Sequence, residues 1–217
     1  MAVFMSINSL AEQGDAMDRM YRFQRHIYDA SRRYYLLGRE ELLDRLKPPG
    51  GGSVLEIGCG TGRNLVGVAA RFPHTRLFGI DISQEMLKSA STALNKAGCS
   101  DRVRLACADA TDFNPLSLLG QQHFDRIYFS YTLSMIPDWQ KALRHAQALL
   151  SPAGELHVVD FGQCEGLPVV FKHLLFRWLK QFHVTPRATL EKECAQLNPA
   201  AQFDSMYRGY AWRCALS

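Results

Sequence analysis

The sequence predicts an α/β fold, a mostly parallel sheet with helices on both faces. Three observations carry this expectation. After residue 52, short apolar runs alternate with amphipathic ones, the pattern of repeated strand–helix units. The first such strand runs directly into a glycine turn, EIGCGTG, that opens a helix. The final stretch, QFDSMYRGYAWRCAL, reads instead as two strands about a tight turn at Arg208-Gly209, so an antiparallel hairpin closes one edge.

Taken in order, PPGGG (48–52) separates a helical N-terminal region from the sheet, because proline ends a helix and glycines turn the chain. SVLEI is then a strand, NLVGVAARF a helix and RLFGID a strand. SQEMLKSASTALNKAG is a helix with Ser83 as N-cap and Gly98 at its C-terminal end. RVRLACAD and FDRIYFSY are strands, DWQKALRHAQALL a helix and ELHVVDFG a further strand. The expected organisation is one domain over 1–217, with an N-terminal helical region at 1–47, a sheet core from 53 and a helical insertion at about 166–197.

The bulk properties narrow the class. With 217 residues, 47% hydrophobic and 21% charged, the chain has a globular composition. A formal net charge of +4 falls short of the excess expected of a dedicated nucleic-acid binder. The six cysteines form no CxxC pair and have no neighbouring histidine run, so they are expected to be reduced thiols, with no metal site. The N-terminus lacks the basic start and apolar core of a signal peptide, Met17 is an alternative start, and a cytoplasmic location is expected.

The chemistry lies at the strand ends. In EIGCGTG, Gly58 and Gly60 allow close backbone approach to a ligand, and Gly62 allows tight helix–strand packing. A dinucleotide site wants a further glycine at 63, where this chain has Arg63. The turn therefore suits a ligand without a pyrophosphate, or is simply an unliganded turn. Asp81 ends the second strand and can accept both hydroxyls of a ribose, or else serves the start of the following helix. Asp109 ends the third strand, within reach of an adenine amine. One acid after each strand, combined with GxGxG after the first, points to an adenosine ligand of the S-adenosylmethionine type.

LEIGCGTGRN, FGIDIS, CADATDF and FDRIYFSYTLSMIPDW resemble the successive motifs of class I S-adenosylmethionine-dependent methyltransferases. The resemblance implies a Rossmann-like seven-stranded sheet with its last strand antiparallel, and S-adenosylmethionine as cofactor. It implies a cofactor set of Glu56, Gly58, Cys59, Gly60, Gly62, Asp81, Ile82, Met86, Asp109, Ala110 and Ser130, with Tyr131 beside the transferring methyl. SYTLSM stands where methyltransferases of nucleic-acid bases carry an Asn/Asp-Pro-Pro-Tyr run, so a nucleic-acid acceptor is not expected.

The added segments bear on the acceptor. At 100° per residue, Met17, Met20, Tyr21, Phe23, Gln24, Ile27, Tyr28, Ser31, Tyr34 and Tyr35 share one arc, and five arginines occupy the other. This is either a packing face with a solvated back or a tyrosine-lined polar cavity. In the second segment, 166–187, Val170, Phe171, Leu174, Leu175, Trp178, Leu179 and Phe182 share a face. Its only charged residues are Lys172, Arg177, Lys180 and Arg187, a net +4. It is either a packed cover helix or a helix lying on an anionic membrane, which would place the protein at the inner face of that membrane.

MYRFQRHIYDASRRYYLLGRE, VVDFGQCEGLP and LKQFHVTPR narrow the resemblance to bacterial betaine-lipid N-methyltransferases. These methylate the amino group of the lipid diacylglycerylhomoserine to a trimethylammonium. That resemblance implies Tyr28 and Tyr131 near the methyl, and Tyr21, Arg33, Tyr34, Trp139 and Phe161 toward the substrate. Phosphatidylethanolamine and quinone methyltransferases share the core motifs and stand as alternatives. From other classes, a nicotinamide-dependent oxidoreductase is disfavoured by Arg63 and the Asp109 motif, and a catalytically silent S-adenosylmethionine-binding protein is distinguished only by turnover. The oligomeric state is not read from the sequence.

Overall fold

The computed structural model describes residues 35–217; Tyr21, Tyr28, Arg33, Tyr34 and nearly all of the N-terminal amphipathic segment lie outside the described residues. In chain order the elements are α1 (Arg39–Arg45), β1 (Ser53–Ile57), α2 (Arg63–Arg71), β2 (Arg76–Asp81) and α3 (Gln84–Lys96). Then come β3 (Val103–Cys107), α4 (Pro115–Leu119), β4 (Phe124–Ser130), α5 (Trp139–Ala148) and β5 (Leu150–Phe161). An insertion carries α6 (Val169–Lys180) and α7 (Leu190–Leu197), and β6 (Gln202–Met206) and β7 (Ala211–Leu216) follow.

The seven strands form one sheet in the order β3-β2-β1-β4-β5-β7-β6. β1 to β5 pair in parallel, while β7 runs antiparallel between β5 and β6. This is the sheet that the alternating pattern and the terminal hairpin predict. The strand order reverses between β1 and β4, and in an open parallel sheet such a reversal leaves a crevice at the carboxyl ends of those strands. Central strands read as continuous apolar runs because both faces are covered; all five residues of β1 are buried. One core holds Leu55, Ile57, Phe129, Trp139 and Trp212, and the other Leu42, Leu65, Tyr128, Tyr131 and Phe161.

Local chemistry sets the element ends. The Ser83 hydroxyl accepts from Met86 N, capping α3 as expected, and Gly98 follows that helix with φ 66°. No helix is expected from periodicity at 115–119, yet α4 forms there: Pro115 occupies its first position, and the Asn114 side chain accepts from Ser117 N. β3 ends at Cys107, two residues short of the expected Asp109. Ala108 N donates to Asp81 O at 3.1 Å and the chain then turns, with the Asp109 carboxylate accepting from Thr111 N at 2.8 Å. β5 starts five residues before the expected Glu155, through a register irregularity opposite Phe124 and Arg126. No helix among the described residues is long and apolar enough to cross a membrane.

α1 docks by one face, on which Arg39, Leu42, Leu43 and Leu46 are all buried. Replacing the fully buried Leu42 with Ala is expected to cost about 2–5 kcal/mol, whereas Leu118→Ala at an exposed site on α4 should change stability by less than about 0.5 kcal/mol, both read from urea denaturation.

Candidate active site

The β1–α2 turn is held open by backbone geometry that glycine tolerates. Gly58, Gly60 and Gly62 have φ of 75°, 53° and 74°. A Cβ on Gly58 would stand 2.2 Å from Thr132 Cγ2, on the loop after β4. One on Gly62 would stand 2.9 Å from Ala90 Cβ, where α2 and α3 pack. The turn is also tied to β2, since Gly58 N and Cys59 N both donate to Ile80 O, at 2.8 and 2.9 Å.

Asp81, at the tip of β2, accepts from Gly60 N through Oδ2 at 2.8 Å and from Ser83 N through Oδ1 at 2.9 Å. Its carboxylate thus joins the glycine turn to the start of α3, which is the helix-start role that the sequence offers for it. Ile82 and the buried Met86 continue along the same edge, and Asp109 with Ala110 stands half-buried beyond β3.

A cleft of about 620 Å³ opens over the glycine turn and beside α2 and α3; its lining includes Arg39, Glu56, Gly58, Cys59, Gly60 and, from the tip of β4, Ser130, but not Asp81, Ile82, Met86, Asp109 or Ala110. Glu56 is only 1% exposed. Its Oε1 accepts from Asn64 Nδ2 at 2.7 Å, while Oε2 has no donor among the described residues. Burial, with a smaller push from the Asp81 charge, raises its carboxyl to about 8, against the hydrogen bond from Asn64, the neighbouring Tyr128 hydroxyl and the Arg39 charge. Burial also holds the Cys59 thiol well above its ordinary range, so it is no nucleophile at neutral pH. Ser130 Oγ is buried at the tip of β4 without a partner among the described residues.

Arg39 was not singled out in the sequence, yet it lines this cleft at 7% exposure and its charge acts on Glu56. A signal was present: in REELLDRL an arginine occupies the position i of an apolar face continued by Leu42, Leu43 and Leu46.

Beyond β4 the structure gathers rings. Tyr131, with φ 57°, packs its ring edge-on to Phe161 at 4.7 Å, and Tyr35 stacks on Phe161 at 6.5 Å and meets Trp178 of α6 at 4.9 Å. Trp178 in turn touches Phe182 at 5.0 Å. The Tyr131 hydroxyl donates to Leu37 O at 2.5 Å and that of Tyr210 to Tyr35 O at 2.9 Å. The Tyr131 hydroxyl is therefore spent on the backbone, and its ring is buried against Phe161. The cluster is closed, with about 10 Å³ left among the rings.

The loop after β4 is clamped beneath the insertion. Arg187 donates to Leu133 O and Ile136 O, and Thr185 N donates to Ser134 O at 2.8 Å. Trp139, expected toward the substrate, is instead buried in the core under the Arg187 guanidinium and is not part of the cleft lining. It begins the buried face of α5 that Ala142, Leu143 and Ala146 continue at helical spacing. Among the described residues no cluster of His, Cys, Asp or Glu could hold a metal ion.

The residues present fit S-adenosylmethionine. The unpartnered Oε2 of Glu56 can accept from its ammonium, whose charge would favour ionisation of that carboxyl, Arg39 suits its carboxylate, and a backbone turn free of Cβ atoms permits close approach. When bound, this cofactor supplies a methyl already activated by a sulfonium.

Gly58→Ala is expected to lower stability by about 1–3 kcal/mol and to abolish binding of S-adenosylhomocysteine, read by denaturation and calorimetry. Glu56 generates a pH dependence. Between its ordinary 4.5 and about 8 the native state holds a proton that the unfolded chain has lost, so stability falls as pH rises through that window. Glu56→Gln should flatten that fall in thermal melts taken from pH 4.5 to 8.5, leaving the slopes outside the window unchanged.

A family model described as a methyltransferase domain matches residues 54–154. Trans-aconitate 2-methyltransferase of Methylobacterium radiotolerans is 34% identical over 118 residues, 54% of this chain and 41% of that protein. The ubiquinone/menaquinone biosynthesis C-methyltransferase of Geotalea daltonii is 25% identical over 79% of this chain and 73% of its own length. A phosphoethanolamine N-methyltransferase of Haemonchus contortus, solved with phosphomonomethylethanolamine and S-adenosylhomocysteine, has the same fold at TM-score 0.63 and 23% identity, over 77% of this chain and 38% of that one. The chain spans about four-tenths of the length of several curated relatives it matches. Residues 54–154 thus match a methyltransferase domain model, and the strand order and glycine turn around them fit S-adenosylmethionine as the methyl donor.

Proposed function

We propose that this protein is an N-methyltransferase that converts the amino group of diacylglycerylhomoserine to the trimethylated betaine headgroup. The observation that carries the reading is the ring cluster of Tyr35, Tyr131, Phe161 and Trp178, packed just beyond the β4 tip that bears Ser130; with about 10 Å³ among them, the rings must part to admit an acceptor. Ring faces attract cations whether or not these carry N–H groups, each by about 0.5–2 kcal/mol. A site of this kind retains its hold as an amine becomes a quaternary ammonium, whereas one built on acceptors for N–H bonds loses partners at each step.

Glu56 and Arg39 would bind the amino-acid end of the donor, Asp81 its ribose, and Asp109 with Ala110 its adenine. The rings exclude water and bring nitrogen, methyl and sulfur into line; such alignment is worth roughly 7–11 kcal/mol in favourable cases. An α-amino group titrates near 8, and desolvation beneath the rings lowers that value and frees the lone pair. In the first two rounds the methylated nitrogen would lose a proton to water and so regain its lone pair. The third round has no proton to lose, and the fixed cation leaves. Tyr21, Tyr28, Tyr34 and Arg33 lie outside the described residues and enter this proposal only through the sequence resemblance, which implies them toward the methyl and the substrate.

A quinone acceptor is the second reading, because the Geotalea daltonii relative matches over most of both chains. Incubation with methyl-labelled donor and diacylglycerylhomoserine, phosphatidylethanolamine or demethylmenaquinone, followed by mass identification, separates the readings. Label in the homoserine lipid is expected, and label in the quinone alone overturns the proposal. Trp178→Leu keeps an apolar side chain but removes a ring face. It should slow the last methylation by roughly 2- to 30-fold and let the dimethyl product accumulate.

A further inference from the structure

The apolar face expected along the insertion is divided in the structure. Its C-terminal half packs inward: Leu179 is buried, and Leu175, Trp178 and Phe182 lie half-buried against the core. Its N-terminal half faces solvent, with Val169, Val170, Phe171 and Leu174 at 67, 71, 45 and 63% exposure. Four bulky apolar residues within six positions form a single protruding patch on a domain whose other exposed large hydrophobics are few.

The surroundings of the patch are basic. Arg177 and Lys180 are exposed on the following turns of α6, and Lys172 lies over the Phe176 ring at 5.4 Å. No acid occurs from 166 to 187; Glu165 just precedes the segment. Gly166 N donates to Arg208 O, which brings the exposed Tyr207 and Arg208 of the β6–β7 turn alongside the start of the insertion.

We infer that the first two turns of α6 dock on an anionic lipid bilayer, with Val169, Val170, Phe171 and Leu174 entering the acyl boundary and Arg177 and Lys180 meeting the headgroups. The charge pattern selects this occupant: apolar tips beside a cationic flank match a surface that is greasy below and negative above. A protein partner would need a larger patch than these four side chains present. The geometry also has a use. Val170 and Trp178 are eight residues apart on one helix, roughly 12 Å, so the docked helix would lead from the lipid surface to the ring cluster. The inference rests on the proposed function for that use. Docking itself is read without methyl transfer, so the two can fail separately.

The test is co-sedimentation of the full chain with vesicles of phosphatidylglycerol or of phosphatidylcholine alone. Binding to the anionic vesicles, weak or absent on the neutral ones, is expected. Val170→Asp with Leu174→Asp should weaken it at least tenfold, and Arg177→Glu with Lys180→Glu should weaken it by a similar factor. Retained binding of S-adenosylhomocysteine verifies that these surface variants are folded. Failure of the unmodified chain to sediment with anionic vesicles overturns the inference, and so does binding that the substitutions leave unchanged. Light scattering that shows a dimer dispersed by Val170→Asp with Leu174→Asp, without vesicle binding, assigns the patch to a second copy and likewise overturns it.

Discussion

The site depends on how closely backbone can approach backbone at the tips of β1, β2 and β4. Gly58 lies against Thr132 with no room for a Cβ, while its amide and that of Cys59 share the carbonyl of Ile80. Asp81 then fastens the middle of the same turn to the start of α3. This crowding fixes where the amides of the turn point and where the Glu56 carboxyl is sealed beneath them. The cleft is therefore a product of sheet topology and of three residues that lack side chains, and the walls can vary without disturbing it.

Around this fixed floor the chain places an adjustable roof. The insertion is pinned at its far end by Arg187, whose guanidinium collects carbonyl oxygens of the loop after β4. At the near side Tyr131 and Tyr210 spend their hydroxyls on carbonyls of the segment before α1. Both sets of bonds run from side chain to backbone, so they hold the path of the cover, while the rings of the same tyrosines pack on Phe161.

Strands and helices were legible because burial imposes a period on the sequence. The glycine turn and the acids at 81 and 109 were legible because each is a residue type that a strand end seldom needs for packing. What could not be read arises from long-range contacts. α4 is set by a cap and a proline and has no stripe to detect. Trp139 has the composition of a substrate contact, but its environment is decided by Arg187, 48 residues away in sequence. Arg39 lies on a helix whose period is plain, yet its turn toward Glu56 is settled by docking.

The hairpin at the sheet edge has a consequence for how the molecule is made. β7 lies between β5 and β6, although both precede it in the chain. During synthesis β5 therefore emerges with one row of amides and carbonyls unsatisfied, and β6 cannot supply them. An unpaired edge on a twelve-residue strand invites pairing with another nascent chain. The sheet becomes safe only when the later strand slots into the gap, so the hazardous interval lasts for the whole translation of the insertion and of β6.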